Sequence, residues 1–287
     1  MTSSDPSRVI AFQGVPGAYS NLACRAAYPD LEPLSCATFE DAFAAVAHGK
    51  AVRAMIPIEN SLGGRVADIH HLLPESGQYI VAEHFQRVEH HLLAPQGATL
   101  DSIRTVFSHE QALAQCRGLI RDLNLKAVVR PDTAGAAKEI AERGDTTEAA
   151  IASSLAGETY DLVSLRGRIE DKLGNTTRFV VMSPQRLDPP PQTPSIVSFV
   201  FQVRSVPAAL YKALGGFATN GVNVVKLESY ITDSAFTVAQ FYAEIEGHVA
   251  SRSVDRALEE LQYFSTMMKV LGVYPAHSFR LENPRNG

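Results

Sequence analysis

Four short polar stretches interrupt the apolar segments of this 287-residue chain, and each carries groups that can bind an anion or handle a proton. The first is Gly14-Val15-Pro16-Gly17-Ala18-Tyr19-Ser20, a flexible loop expected to enter a helix at about Ser20. Backbone N–H groups and the dipole at such a helix start favour an anion. The same loop also reads as an ordinary turn with Ser20 as the helix cap, and its glycine spacing matches neither a P-loop nor a dinucleotide fingerprint. The second, Pro57-Ile58-Glu59-Asn60-Ser61-Leu62-Gly63-Gly64, leaves an apolar strand over Val52 to Ile56. Glu59 is there either an acid with Asn60 and Ser61 as substrate hydrogen-bonders, or a first-turn acid of a helix capped by Asn60 or Ser61.

The third stretch, Ser108-His109-Glu110-Gln111, fits a capping box ahead of a helix carrying Ala112, Cys116, Leu119 and Leu123. Gln115 lies one turn beyond Gln111, so both amides face one side. The fourth, Asn175-Thr176-Thr177-Arg178-Phe179, opens an apolar strand over Val180 to Met182. Strand alternation puts Thr177 and Phe179 on one face and Arg178 on the other. Arg178 is then an exposed arginine or a guanidinium fork for a carboxylate.

The pairs His70-His71 and His90-His91 do not read as metal ligands. Sequence neighbours diverge on a helix or a strand, and no further ligands stand at supporting spacing. His70 and His71 belong to a helix within Arg65 to Leu73, while His90 and His91 start an apolar strand.

These stretches need elements to hold them. From Val9 to Phe12 onward, strand-like and helix-like segments alternate, the mark of α/β design. A faint internal echo runs through this body. Thr38 opens a helix ending at Gly49 that leads to a strand and Ser61-Leu62-Gly63, and Thr133 opens one ending at Gly144 that leads to Ala149–Ala152 and Ser154-Leu155-Ala156-Gly157. Two similar lobes around a cleft would produce such an echo. Five prolines between Pro184 and Pro194 make a semi-rigid linker. Beyond it, segments at Ile196–Val203, Pro207–Thr219, Val222–Tyr230, Phe236–Ile245, Val254–Phe264 and Met267–Tyr274 follow the order βαββαβ, a ferredoxin-like plan.

Composition narrows the class. Apolar residues make up 45% and charged residues 20%, as in globular proteins. The net charge of −5 provides no global positive field for nucleic acid or anionic lipid. Cys24, Cys36 and Cys116 show no zinc or disulfide spacing. Neither a signal segment nor an 18-residue apolar run occurs, so a soluble cytoplasmic protein without membrane association is expected.

In series, the loop at Gly14 to Ser20, PIENSLGG at Pro57 to Gly64, SHEQALAQC at Ser108 to Cys116 and NTTRF at Asn175 to Phe179 closely resemble the motifs of prephenate dehydratases. The tail resembles an ACT domain, with Pro207-Ala208-Ala209-Leu210 and Gly221-Val222-Asn223 at that domain's phenylalanine-binding segments. Glu228-Ser229-Tyr230-Ile231 stands where many members read ESRP. Together the motifs and the tail span Val9 to about Pro275. The resemblance implies a two-lobed body over residues 8–184 like type 2 periplasmic binding proteins, a linker over 185–194 and an ACT domain over 195–275.

It also implies decarboxylating dehydration of prephenate to phenylpyruvate in phenylalanine biosynthesis, with no metal or organic cofactor. Thr177, Arg178, Glu59 and Asn60 are the catalytic set so implied. Ala18, Tyr19, Ser20, Ser61, Ser108, Gln111, Gln115 and Phe179 would bind substrate, with Tyr19 and Phe179 walling the ring. Helix starts after Ser20, Ser61 and Ser108, together with Arg178, would hold its carboxylates. L-Phenylalanine is the implied effector, bound by Ala208, Ala209, Leu210, Asn223, Val224 and Glu228 at an interface between ACT domains of a homodimer or homotetramer. Arogenate dehydratases share the same motifs. A noncatalytic amino-acid sensor would not need Thr177, Arg178, Glu59 and Asn60 together.

Overall fold

Short strands alternating with helices build the first part of the chain. A computed structural model describes residues 5–66, 69–204, 206–231 and 239–282. Its first elements are β1 (Val9–Gln13), α1 (Tyr19–Ala27), β2 (Glu32–Cys36), α2 (Phe39–Ala47) and β3 (Arg53–Asn60). β1 lies between β2 and β3 and runs parallel to both, as crossover helices permit. Thr38 and Asp41 close a reciprocal capping box on α2 at 3.1 and 3.2 Å, satisfying amides that a helix start otherwise leaves open.

After β3 the chain turns back into the two-residue β4 (Gly64–Arg65), with Gly64 paired to Asn60. The helix expected at Asn60 or Ser61 is therefore absent. Asn60 Oδ1 instead accepts from the amides of Leu62 and Gly63 at 3.0 and 2.7 Å, a side-chain closure that favours a tight turn over a helix.

α3 (Ile69–Glu75) and β5 (Tyr79–Arg87) follow, then β6 (His91–Ala94), β7 (Thr105–Ser108), α4 (Glu110–Gln115) and α5 (Arg117–Asp122). β8 (Lys126–Val129), α6 (Thr133–Arg143), β9 (Glu148–Ala152), α7 (Ser154–Thr159), β10 (Val163–Gly167) and β11 (Thr176–Ser183) complete this stretch. The trio β8-β7-β9 repeats the arrangement β2-β1-β3, with the first strand central and parallel to both neighbours. The echo in sequence is thus an echo in topology. It ends after the third strand, where β3 enters a hairpin and β9 enters α7 under a Ser153 cap. The full orders are β2-β1-β3-β11-β5, with β4 on β3, and β10-β6-β9-β7-β8. Alternation gives the second sheet two apolar faces, one with Leu92, Val106, Ala149 and Ile151 and the other with Leu93, Phe107, Ala150 and Ala152.

The described residues form two compact units, one from β1 to Val66 and from Phe85 to Phe179, the other from α3 to His84 and from Val180 onward. This differs from the collinear body and tail read from the linker. In the second unit, β12 (Ser195–Val203), α8 (Ala209–Thr219), β13 (Val224–Ile231), β14 (Ala239–Glu246), α9 (Arg252–Phe264) and β15 (Ser265–Pro275) precede α10 (Ser278–Glu282). The antiparallel order β13-β14-β12-β15 is the ferredoxin-like one. Phe199, Phe201, Phe217, Phe241, Val254 and Leu261 fill its core. The expected strand start at Phe236 lies outside the described residues. α8 begins after Pro207 rather than with it, because Ala208 sits at φ +61°.

The segment from α3 to His84 joins this unit through close packing and charge. A side chain on Gly272 would collide with the Ile80 carbonyl. Arg280 reaches both oxygens of Glu83 at 2.7 and 2.9 Å and Glu244 at 3.2 Å, and both carboxylate side chains are fully buried. No helix among the described residues is long and apolar enough to cross a membrane.

Candidate active site

A cavity of about 650 Å³ opens in the first unit where the parallel strands of both sheets end. Gln13 and Gly14 leave β1, Ser35 and Cys36 end β2, and Asn60 ends β3; His109 and Gln111 follow β7, while Pro131, Asp132 and Thr133 follow β8. Ligands of open α/β sheets bind at this end of the strands.

The loop before α1 is held at several points. Gly17 has φ +88°, and a Cβ there would lie 2.8 Å from Ala156 Cα, so backbone conformation and space both demand glycine. Ser153 Oγ donates to the Gly17 carbonyl at 2.6 Å, Tyr160 donates to the Pro16 carbonyl at 2.7 Å, and the Gly17 amide donates to Asn21 Oδ1 at 3.1 Å. Ala18, and not the expected Ser20, is the N-cap of α1, and no side chain caps that end. Ser20 sits in the first turn because the helix begins two residues earlier than a cap at Ser20 would place it. Ala18, Tyr19 and Ser20 all line the cavity.

A chain of hydrogen bonds crosses the cavity wall. Asn60 Nδ2 donates to Thr177 Oγ1 at 3.0 Å and to Asn175 Oδ1 at 2.7 Å. Asn175 Nδ2 donates to Gln115 Oε1 at 2.7 Å, which stands 3.0 Å from His90 Nε2. The Tyr19 hydroxyl, with one hydrogen to donate, lies 2.9 Å from His90 Nδ1 and 2.8 Å from the Glu89 carbonyl. Burial pushes the Tyr19 hydroxyl well above its usual pKa and holds the His90 imidazole below its own, because each charged form would lose water.

Of the substrate-facing residues expected from sequence, Ala18, Tyr19, Ser20, Asn60, Gln111, Gln115 and Thr177 line this cavity, and Glu59, Ser61, Ser108, Arg178 and Phe179 do not. Arg178 is not exposed, and it lies outside the cavity lining. It is buried, with its guanidinium 3.0 Å from Glu59 and over the Phe85 ring. Glu59 is therefore engaged in an ion pair between neighbouring strands. Phe179 belongs to the core because β11 dives inward from Arg178 on. Ser61 bonds the segment before and at the start of β11, donating to the Gly174 carbonyl and accepting from the Thr176 amide.

Ser108 is fully buried and donates to the Ile151 carbonyl at 2.6 Å, so it ties β7 to β9 instead of capping α4. The cap is His109, which accepts from the Gln111 amide at 3.3 Å. His90, Asn175, His109 and Asp132 were not picked out by sequence reasoning as cavity residues. A histidine opening an apolar strand resembles a core residue, and only its partners from other elements distinguish it.

Three helix N-termini reach the cavity, those of α1, α4 and α6. Their dipoles favour negative charge within it. Among the described residues, no group of three or more His, Cys, Asp or Glu could hold a metal ion. In the second unit, Ala208 caps α8, which Ala209 and Leu210 begin, while Asn223 precedes β13 and donates to Glu246 at 2.9 Å. Val224 opens β13, and Glu228 pairs with Lys226 at 2.6 Å.

Residues 10–186 match the family described as prephenate dehydratase. The chain is 51% identical to the bifunctional N-acyl-homoserine lactone acylase/prephenate dehydratase of Komagataeibacter europaeus, over 95% of this chain and 98% of the relative. It is 38% identical to the chloroplastic arogenate dehydratase/prephenate dehydratase 2 of Arabidopsis thaliana, over 97% and 76%. The solved prephenate dehydratase of Arthrobacter aurescens in complex with L-Phe superposes with a TM-score of 0.86 at 28% identity, over 93% of this chain and 90% of that one. A structure described as a novel type of quorum-quenching acylase superposes with a TM-score of 0.91 at 51% identity, over 95% and 100%.

Proposed function

The chain belongs to the prephenate dehydratase family, and from that membership we propose that it converts prephenate to phenylpyruvate, water and carbon dioxide. In that reaction the bond from ring to carboxylate breaks, its electron pair aromatises the ring, and the hydroxyl on the far side leaves, taking up one proton as water. Aromatisation drives the step, so the enzyme's task is to orient a dianion and assist hydroxide departure.

The observation that carries this reading is the bond from Asn60 to Thr177. Because Thr177 Oγ1 accepts from Asn60, its own hydrogen remains to donate to the departing hydroxyl. The N-termini of α1, α4 and α6 are suited to the two carboxylates, and Gln111, Gln115, Ser20 and Tyr19 orient the substrate. Arg178 and Glu59 serve as positioning residues: their ion pair joins β3 to β11 beside Asn60 and Thr177. Ser61 and Ser108 support the walls.

The second unit is proposed as an ACT domain, on its βαββαβ order and on a relative solved with L-Phe. In this reading L-phenylalanine binds Ala208, Ala209, Leu210, Asn223, Val224 and Glu228 in a cytoplasmic homodimer or homotetramer. Regulation requires that phenylalanine bind active and inhibited states with different affinity. A second activity, hydrolysis of N-acyl-homoserine lactones, is supported by the name and 51% identity of the Komagataeibacter relative.

Turnover of prephenate, arogenate and an N-acyl-homoserine lactone should be measured side by side, with and without phenylalanine. Preferential phenylpyruvate formation, altered by phenylalanine, is the expected result. Preferential phenylalanine formation from arogenate would change the substrate assignment, and no turnover of either ring substrate would overturn the dehydratase reading.

A further inference from the structure

The amide orientations along the cavity wall are set from one end. Two backbone amides, those of Leu62 and Gly63, can only donate, so the atom of Asn60 that meets them is its oxygen. The other end of Asn60 is then NH2, and its partner on Asn175 must be an oxygen at 2.7 Å. Asn175 consequently presents NH2 to Gln115 at 2.7 Å, which makes the facing atom of Gln115 an oxygen. That oxygen lies 3.0 Å from His90 Nε2. The backbone turn at Asn60 thereby dictates that Nε2 of His90 carries a hydrogen.

We propose that His90 is a positioning residue for the dehydration, its Nε2–H anchoring the far end of the amide relay that fixes Asn60 and aims the Thr177 hydroxyl into the cavity. The ring is itself held in place. It is 2% exposed, its backbone amide donates to Glu170 at 3.0 Å, and Nδ1 takes the Tyr19 hydroxyl at 2.9 Å. Neutral imidazole with hydrogen on Nε2 fits these partners when the one Tyr19 hydroxyl hydrogen is directed at Nδ1, with the Glu89 carbonyl, 2.8 Å from the same oxygen, left to other donors. Without the donor at Nε2, Gln115 loses one of the two groups holding its oxygen and can rotate. Asn175 then loses a fixed acceptor, and the orientation of Asn60 towards Thr177 rests on its turn alone. The role in catalysis rests on the dehydratase reading; the hydrogen position does not.

Nitrogen-15 NMR of the histidine-labelled protein, with His90 assigned from a His90→Gln spectrum, should show a protonated Nε2 and an unprotonated Nδ1. The opposite tautomer would overturn the proposal whatever the substrate is. Kinetically, His90→Phe should lower kcat about 10- to 100-fold, the scale of a small misplacement at a reacting centre, with little change in KM. His90→Gln, whose side-chain NH2 can meet Gln115, should restore most of it. The double variant His90→Phe with Thr177→Ala should be no slower than Thr177→Ala alone. Multiplicative losses, or an unchanged kcat in a folded His90→Phe protein, would each defeat the relay.

Discussion

Asn60 and Thr177 are 117 residues apart in sequence and 3.0 Å apart in space, Nδ2 to Oγ1. The asparagine is anchored behind by two backbone amides and spends its NH2 on Thr177 and Asn175. Orientation of the threonine hydroxyl is consequently a property of the β3 turn as much as of β11.

Replacing Thr177 with alanine should cut kcat about 100- to 1000-fold, the cost of removing one donor aimed at developing charge. Stability should fall by only about 1 kcal/mol, the net value of a lost hydrogen bond. Thr177→Ser should recover much of the rate. Steady-state kinetics beside thermal unfolding would separate these effects, and equal losses in rate for the serine and alanine variants would contradict the hydroxyl's role.

Ser108→Ala should behave in the opposite way. Its buried hydroxyl serves the Ile151 carbonyl, and leaving that acceptor unsatisfied costs about 1–3 kcal/mol. A lowered unfolding midpoint with near-normal kcat and KM is expected. A large rise in KM at unchanged stability would instead make Ser108 a substrate contact.

Burial of His90 has a pH signature. The unfolded chain protonates this imidazole near pH 6.5, about its ordinary value, while the folded protein does so only at lower pH. Between those two values the unfolded state binds more protons, so stability falls as pH drops and is unaffected above. Urea midpoints of wild type and His90→Gln should diverge on acidification below about pH 6.5, with wild type losing more. Parallel curves would show that His90 does not carry the effect.

Arg280→Met should be among the most destabilising changes in the second unit. The guanidinium joins two carboxylates whose side chains are fully buried, Glu83 and Glu244. Removing one partner of such a group costs about 3–5 kcal/mol. Adding Glu83→Gln should return part of that loss by removing a buried charge. Differential scanning calorimetry of the single and double variants would decide, and a double variant less stable than the single would refute the charge argument.

Much of this was legible in the sequence. Thr38, Gly144 and the apolar runs located helices and strands, and the paired Thr38 and Thr133 segments anticipated two sheets of matching topology. The cavity residues found from sequence were those at strand ends and helix starts, where local pattern and position coincide. Residues one step further on do not line the cavity. Ser61, Ser108, Arg178 and Phe179 occupy motif positions, yet their roles depend on β11, β9 and β3, which come from elsewhere in the chain. Capping chemistry at Ser108 is a local signal, whereas its bond to Ile151 is not. His90 was missed for the same reason, since its partners Tyr19 and Gln115 are 71 and 25 residues away.

The way Gly272 and Arg280 grip Ile80 and Glu83 of β5 bears on modular engineering. Cutting at the proline-rich stretch looks like a clean excision, but it would strip cover from a segment encoded far upstream and expose a buried acid there. Grafting this tail onto another body would in turn leave it without part of its own wall. Any swap of this module among such chains must therefore exchange two cassettes, one internal and one terminal, and a chimera joined only at the linker should be insoluble or aggregation-prone.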